Sequence, residues 1–306
     1  MHLLLMDDDP IMLQNMSYEP TEVSLLYILR GCLSDRMVRH VMEAMGRARV
    51  VIEDGRVVEV GEPLIDYCPL FKKYRGIDKL DEKSIRENIE FRIRDFGMCT
   101  SSRSMFLDDF LSFGVSELLC LAVGEGLLDA AVIASDGAGT CVVDDPRMIQ
   151  GLGGRISGIV SVEVVPEVVD KIGADRTLAG EIDQIRGVEL ARSMGFKKLG
   201  VTLTDGDDAA ELRRRYGDDV MLFAVHTTGV DEDCARKLFE NCDIVTGCAS
   251  LHIRNLAKDM ALLQGGDKVP VYAANETGKN LMEIKLGQLG KKPSLKDSDD
   301  IPRPLI

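Results

Sequence analysis

The chain has 306 residues, of which 45% are hydrophobic and 29% are charged, a composition typical of a globular protein with one or two domains. Its formal net charge of -14 argues against a nucleic-acid partner, because binding to a phosphate backbone relies on clustered Lys and Arg. Glu117, Glu125 and Asp129 interrupt the most apolar stretch, so we predict no membrane span and a cytoplasmic location.

Residues 1–37 show no clear hydrophobic period, and we treat them as an uncertain N-terminal extension, with Met37 as a hypothetical natural start. Residues 38–45 are predicted to form a short helix. Asp54-Gly55 then lies between the β-branched runs ARVVIE and RVVEV, which is the pattern of a β-hairpin.

A long helix is predicted from Asp81 to Phe96. Ile85, Ile89 and Ile93 recur along it at four-residue spacing, and a glycine follows its end. Further along, LLDAAVIAS and CVVDD read as strands on either side of the turn DGAGT. Residues 38–165 are therefore predicted to form a mixed α+β region with loops that contain Cys and Gly.

Residues 166–286 alternate regularly between helical and strand patterns, which predicts parallel βαβ units and an α/β fold. Ligands bind beyond the carboxyl ends of the strands in such sheets, and two of these ends carry His226 and Cys248. The segment 287–306 is polar and contains proline, so we predict a disordered tail.

The chain contains eight cysteines but no Cys-x-x-Cys pair, which excludes a local zinc ribbon or ferredoxin motif. Cys68, Cys99 and Cys248 each stand beside Gly or Pro, or one residue from it, at a break in regular structure, as thiolate ligands often do. They are predicted metal ligands for an iron–sulfur cluster or another thiophilic metal. The alternative is that they are unrelated structural thiols. With only four histidines, a metal-dependent amidohydrolase site is excluded.

His226 follows an apolar strand and precedes Thr-Thr-Gly, a position that suits a general acid or base. Cys248, at the next strand end, is the matching candidate nucleophile. A structural role for the imidazole, hydrogen-bonded at the end of the strand, is equally open.

Two glycine-rich stretches are candidate ligand loops. The first contributes Asp136, Gly137 and Gly139, but it precedes a strand and so does not match a dinucleotide fingerprint. The second could hold a phosphate or carboxylate with backbone N–H groups beside one arginine. Its predicted binding residues are Gly151, Gly153, Gly154, Arg155 and Ser157. The alternative is a tight loop between strands.

Several long phrases, including ARVVIEDGRVVEVGEPLIDYCPLF, LLDAAVIASDGAGT, QGLGGRISG and DIVTGCASLHIR, resemble methanogenesis marker protein 8, an archaeal family of undetermined activity. The resemblance covers residues 40–287 and implies a cytosolic protein linked to methanogenesis through the methyl-coenzyme M reductase system. It carries over no catalytic residue. The segment SFGVSELLCLAVGEGLLDAAVIA is also similar to part of deazaflavin-dependent hydrogenase beta subunits, whose clustered cysteine motif is missing here.

Three hypotheses follow. The first is an accessory or maturation factor that binds a metal through its loop cysteines and has a metalloenzyme or an assembly protein of methanogenesis as its partner. The second is an enzyme acting on a small anionic substrate held by the glycine-rich loop. The third is a non-catalytic scaffold. The sequence leaves open the substrate, the metal and whether the chain forms a homo-oligomer.

Overall fold

The structure, a computed structural model, describes residues 37–107, 113–153, 158–266, 268–293 and 300–306. The strands are β1 (Arg39–Glu43), β2 (Arg49–Glu53), β3 (Arg56–Val60), β4 (Ala130–Ser135), β5 (Gly139–Val143), β6 (Gly158–Ser161), β7 (Leu199–Leu203), β8 (Val220–Ala224), β9 (Ile244–Thr246), β10 (Leu263–Gly265) and β11 (Val271–Ala273). The helices are α1 (Pro69–Arg75), α2 (Glu82–Phe96), α3 (Val115–Gly124), α4 (Pro146–Gly153), α5 (Pro166–Ile172), α6 (Gln184–Ser193), α7 (Gly206–Tyr216), α8 (Glu232–Asn241), α9 (Leu251–Met260) and α10 (Glu276–Gln288).

A small antiparallel sheet has the strand order β3-β2-β1-β6. Asp54 and Gly55 both have positive φ, 47° and 72°, and form the predicted hairpin turn between β2 and β3. The predicted helix over residues 38–45 is wrong, because residues 39–43 form β1. This strand pairs with β2 on one side and β6 on the other, and the latter partner lies over a hundred residues away in sequence.

Helix α2 covers this sheet and confirms the predicted helix. Asp81 caps its start by accepting the backbone N–H of Ser84, whose hydroxyl oxygen accepts the N–H of Asp81. The side chains of Ile85 and Ile89 are fully buried against the sheet. Gly97 ends the helix in the left-handed conformation, as the sequence predicts.

The larger sheet has seven strands in the order β10-β11-β9-β8-β7-β4-β5. Strands β4, β7, β8 and β9 run parallel, and α7 and α8 connect the last three of them as βαβ units. The α/β fold class is therefore confirmed. A core of aliphatic side chains fills the space between these strands and their helices, with Val201, Leu212, Leu222 and Leu238 fully buried.

The parallel order ends at β9, where the sequence-based prediction failed in part. From its sequence, the segment SLHIRNLAKDMALLQ, residues 250–264, is predicted to form one helix. Helix α9 instead ends at Met260, and Leu263–Gly265 forms β10. This strand is antiparallel to β11, and β11 is antiparallel to β9. A three-residue strand is too short to show a period in sequence, and its pairing partner decides its conformation.

Strands β4 and β5 belong to the same sheet as β7, β8 and β9, so the predicted boundary near residue 165 falls between strands of one sheet.

The predicted disorder of the tail does not extend to its last residues. Arg303 pairs with Tyr67, and Ile306 exchanges backbone hydrogen bonds with Ala249 and Leu251. Across the described ranges, no helix is both long enough and apolar enough to cross a membrane.

Candidate functional site

A cavity of about 590 Å³ lies beyond the carboxyl ends of β8 and β9. Its wall also includes the turn after β1, one face of α2 and the segment leading into α1. Among the residues singled out from sequence, Cys68, His226, Cys248 and Gly153 lie on this wall. The volume is typical of pockets that enclose a small organic ligand.

His226 and Cys248 occupy corresponding positions, each two residues beyond the end of its strand. Both have positive φ, 54° and 35°, a conformation that non-glycine residues rarely adopt. The hydroxyl of Thr227 donates to the carbonyl of Thr246 at 2.6 Å, and Thr228 Oγ1 accepts the N–H of Ala249 at 3.2 Å. The two strand-end loops are therefore fastened together, and their strained residues both face the cavity.

The imidazole of His226 is exposed at the cavity wall. Desolvation by the surrounding protein lowers its pKa below the ordinary 6.5, Glu43 acts in the opposite direction, and the cations of Arg92 and Arg47 lower the pKa further. His226 is therefore a neutral imidazole at pH 7, able to accept a proton.

Cys68 stands immediately before α1, where Pro69 begins the helix. Its thiol is buried, and burial raises its pKa, while the backbone N–H groups of Leu70 and Phe71 offset part of the effect. A negative charge on Cys248, which lines the same cavity, would raise the pKa of Cys68 further. At the pKa that burial imposes, Cys68 is a protonated thiol at pH 7.

Arginines supply the positive charge of the cavity, and sequence reasoning missed them. Arg92, half-buried on α2, has its pKa lowered to about 10 by desolvation and then by the like charges of Arg75 and Arg103. The guanidinium of Arg75 lies 3.6 Å from the ring centroid of Phe91. An anion entering the cavity would stabilise both cations.

Three carboxylates also line the cavity, and protein groups engage each of them. Glu43 accepts two hydrogen bonds from Arg47, at 3.0 and 2.9 Å. Asp95 pairs with Arg94 at the surface. Glu117 is buried and accepts hydrogen bonds from Ser116 and Gln150. Arg75 and Arg92 line the same cavity as these carboxylates.

The rest of the wall is largely apolar and rich in aromatic rings. The whole chain has only 9 Phe and 6 Tyr, and five of these residues line the cavity. They are Phe71, Tyr74, Phe91, Phe96 and Phe113. A ligand with an apolar body would pack against this surface.

The predicted three-cysteine metal site is not assembled. Cys99 lies outside the cavity wall, buried in the core with its N–H donated to Asp136 Oδ2 at 2.6 Å and its sulfur 3.6 Å from Met42 Sδ. Burial raises the pKa of its thiol well above the ordinary value. Within the part of the chain that the structure describes, no group of three or more His, Cys, Asp or Glu side chains is placed to hold a metal ion.

The first glycine-rich stretch is part of the core. Asp136 is fully buried, and Arg103 Nε donates to its two carboxylate oxygens at 3.0 and 3.2 Å. Gly137 and Gly139 adopt positive φ, 77° and 75°, in the turn between β4 and β5. None of these three residues lines the cavity, so the predicted ligand-binding role does not fit their position.

The second glycine-rich stretch begins as helix, which corrects the predicted loop. Gly151 and Gly153 form the end of α4, and the carbonyl of Gly151 accepts a hydrogen bond from Arg103. A Cβ on Gly151 would lie 1.9 Å from the carbonyl oxygen of Met105, so this glycine serves close packing. Gly153 reaches the cavity wall. The remaining predicted residues, Gly154, Arg155 and Ser157, lie outside the described residues.

A family model described as an uncharacterized protein conserved in archaea (DUF2099) matches residues 40–287. A protein of Methanocaldococcus jannaschii with the name Uncharacterized protein MJ0054 is 40% identical over 285 residues, covering 88% of this chain and 100% of that protein. The chain belongs to this archaeal family.

Among solved structures, a chain of the F420-reducing NiFe hydrogenase complex from Methanosarcina barkeri, in a xenon-derivatised form, gives a TM-score of 0.34. It is 13% identical, and the match covers 62% of this chain and 77% of that chain. A likeness at this level carries no inference about the function of this archaeal family member.

Helix α2 contained a signal that could have found the missed residues. Asn88, Arg92 and Phe96 recur at four-residue spacing and therefore share one face of the helix. All three line the cavity. Because Asn88 interrupts the apolar period set by Ile85 and Ile89, it is a polar residue at a position where the pattern predicts burial.

Proposed function

We propose that this member of the archaeal family is an enzyme that acts on a small organic anion, and that the cavity beyond β8 and β9 is its active site. The observation that carries the proposal is the placement of His226 and Cys248 on the wall of one cavity. They are two strained residues at corresponding strand ends, on a wall that also presents arginine side chains. Backbone strain of this kind is concentrated at functional sites.

The arginines support an anionic substrate. Arg92 carries its charge in a desolvated setting and beside other cations, so a negatively charged group would bind there more strongly than in water. Arg75 offers a second guanidinium on the cavity wall, 3.6 Å from the ring centroid of Phe91. The aromatic wall would then hold the apolar body of the same molecule.

The chemistry that fits is general base and nucleophilic catalysis. His226, neutral at pH 7 because its pKa is lowered, would accept the proton of the Cys248 thiol. The resulting thiolate would attack an electrophilic carbon of the bound anion, forming a carbon–sulfur bond while the bond from that carbon to a leaving group breaks. The leaving group would depart with the bonding electron pair and take the proton held by His226. The hydrogen bonds between the two strand-end loops hold the base and the nucleophile in one place.

A role beside the methyl-coenzyme M reductase system of methanogenesis is a separate proposal. It rests on the family resemblance of the long sequence phrases. The hypothesis that the protein serves this role by binding a metal through Cys68, Cys99 and Cys248 is less well supported. Cys99 lies away from the cavity that the other two cysteines line. The anion-binding cavity accounts for more of the geometry.

Alkylation kinetics test the proposed site directly, with an anionic electrophile as a model substrate. Iodoacetate and iodoacetamide differ in charge, and mass spectrometry of digested protein reports the rate at each cysteine. We expect the ratio of the iodoacetate rate to the iodoacetamide rate to be roughly tenfold higher at Cys248 than at Cys234. Cys234 is the internal control, since Asp205, Asp207 and Asp231 surround it with negative charge.

Two variants separate the roles of the charged groups. Arg92→Leu should lower the ratio at Cys248 and leave Cys234 unchanged. His226→Gln should slow both reagents at Cys248 through loss of the base, whereas His252→Gln, on α9 and off the cavity wall, should not. Equal ratios at Cys248 and Cys234 in the natural protein would contradict the proposal.

A further inference from the structure

Asn88 is a buried polar residue whose side-chain oxygen makes no hydrogen bond among the described residues, and it lines the cavity. It is 3% exposed, and its Oδ1 has no partner among the residues that the structure describes. It lies on the face of α2 that lines the cavity, one turn before Arg92. Because almost all buried polar groups in native proteins are hydrogen-bonded, an unpartnered carboxamide oxygen in this position requires an explanation.

Folding alone gives no reason for an amide at this position. Ile85 and Ile89 on the same helix are fully buried, and a leucine at position 88 would continue that apolar surface. A buried acceptor without a donor destabilises the folded state, so the residue opposes stability. Residues that oppose stability in this way are concentrated at binding and catalytic sites.

The spacing between Asn88 and Arg92 limits the ligand group that can meet both. Side chains four residues apart on a helix have Cβ atoms about 5–6 Å apart, so their ends converge on one compact head group. The guanidinium cation of Arg92 favours an anionic oxygen as its binding partner. A carboxamide provides one acceptor and one donor end, and rotation about its last bond exchanges them at the cavity wall.

We propose that Asn88 and Arg92 together recognise a carboxylate that carries a hydroxyl or amide N–H group on the adjacent carbon, attached to an apolar body. The carboxylate binds the guanidinium of Arg92, and the neighbouring donor satisfies the Oδ1 of Asn88. The aromatic wall encloses the body. This inference rests on the proposed function, because it names the substrate class of the same cavity.

Three probes that differ by one group each test this inference. They are 2-hydroxy-4-phenylbutanoate, 4-phenylbutanoate, which lacks the hydroxyl, and 4-phenylbutane-1,2-diol, which lacks the carboxylate. Isothermal titration of the full chain with each probe gives the three dissociation constants. We expect the hydroxy acid to bind about fivefold more tightly than the simple acid, and the diol to bind most weakly.

Asn88→Leu should remove the preference for the hydroxy acid, so that both acids bind equally, and it should raise the melting temperature of the ligand-free protein. Arg92→Leu should weaken both acids and leave the diol unchanged. The matched control is Asn255→Leu, an exposed residue of α9, which should change neither affinity nor preference.

The outcomes separate this inference from the proposed function. If the natural protein binds both acids equally, or if Asn88→Leu lowers the melting temperature, the recognition role of Asn88 is overturned while the anion site stands. If neither acid binds and iodoacetate shows no preference for Cys248, the proposed function fails and this inference fails with it. A fivefold preference that Asn88→Leu abolishes supports both.

Discussion

His40 is a histidine enclosed in the core, and neither ring nitrogen has a hydrogen-bond partner among the residues described. Desolvation lowers its pKa below the ordinary 6.5, and the negative charges of Asp136 and Glu163 act in the opposite direction. The imidazole is therefore neutral in the folded protein at pH 7. Two unsatisfied nitrogens in one buried ring should make this residue a source of instability.

We predict that His40→Leu raises the free energy of unfolding by about 1 kcal/mol at pH 7, because leucine has a similar volume and no polar atom to satisfy. The gain should increase as the pH falls below 6.5. In that range the unfolded state binds a proton that folded His40 resists, so the natural protein loses stability until the lowered folded-state pKa is reached.

Urea denaturation at pH 7 and at pH 5.5 measures both effects, with His252→Gln as the control that removes a different imidazole. A loss of stability in His40→Leu at both values would show that the ring has a partner or a packing role that its present surroundings do not reveal. A gain that is the same at both values would contradict the lowered pKa.

At the scale of helices and strands, the sequence predicted what local signals specify. The Asp54-Gly55 hairpin and the capped helix α2 are both present. Elements defined by distant pairing were missed: β1 was read as a helix and β10 as the end of α9. A short strand has no period of its own, and only its neighbours in the folded sheet distinguish it from a helical turn.

The absence of distant contacts from the local sequence also explains why the role of the second glycine-rich stretch was predicted incorrectly. Gly151 was read as part of an anion-binding loop because glycine permits that geometry, whereas its requirement comes from Met105, which approaches the helix at that point. A backbone contact across 46 residues leaves no mark in the local sequence. The distinction is testable, because a packing glycine and a permissive glycine respond differently to the same substitution.

We predict that Gly151→Ala destabilises the protein by about 2 kcal/mol or more, because the new methyl group would overlap the carbonyl of Met105, which cannot move as a side chain would. The matched substitution is Gly287→Ala on α10. Its Cβ would meet nothing within 4 Å, so the higher helix propensity of alanine should stabilise the protein by about 0.5–1 kcal/mol.

Thermal melting of the two variants under identical conditions decides the point. Opposite shifts in melting temperature are expected. If Gly151→Ala melts like the natural protein, the close approach of Met105 is not a constraint, and a role of this glycine in ligand binding would again be open.

For the whole molecule, the sequence located one part of the candidate site and missed another. The strand-end rule correctly brought His226 and Cys248 to one cavity, because parallel neighbours β8 and β9 end at the same edge. Of the three predicted metal-ligating cysteines, Cys68 lines the same cavity as Cys248, whereas Cys99 lies outside its wall. Arg47 lies in the turn between β1 and β2 of the small sheet, and Asn88 and Arg92 lie on α2, which covers that sheet. Only the packing of the two sheets brings these residues to the cavity.

The contact between the two sheets includes a buried ion pair that no local sequence pattern predicts. Arg103 follows α2, which covers the small sheet, whereas Asp136 follows β4 of the large sheet. Both side chains are almost fully enclosed, with exposures of 1% and 0%. Arg103 also donates to the carbonyl of Gly151, and Asp136 accepts the N–H of Cys99, so the pair joins α4 and the end of α2.

We predict that this pair contributes to holding the two sheets together, and that removing one charge is worse than removing both. Arg103→Met or Asp136→Leu alone should lower the free energy of unfolding by about 3–5 kcal/mol, since each leaves an opposite charge buried without its partner. The double variant should lose less than the sum of the two, because it leaves no unpaired charge. Urea titrations of the four proteins measure the coupling. Additive losses would mean that the two groups do not depend on each other, and the junction between the sheets would then rest on its apolar contacts alone.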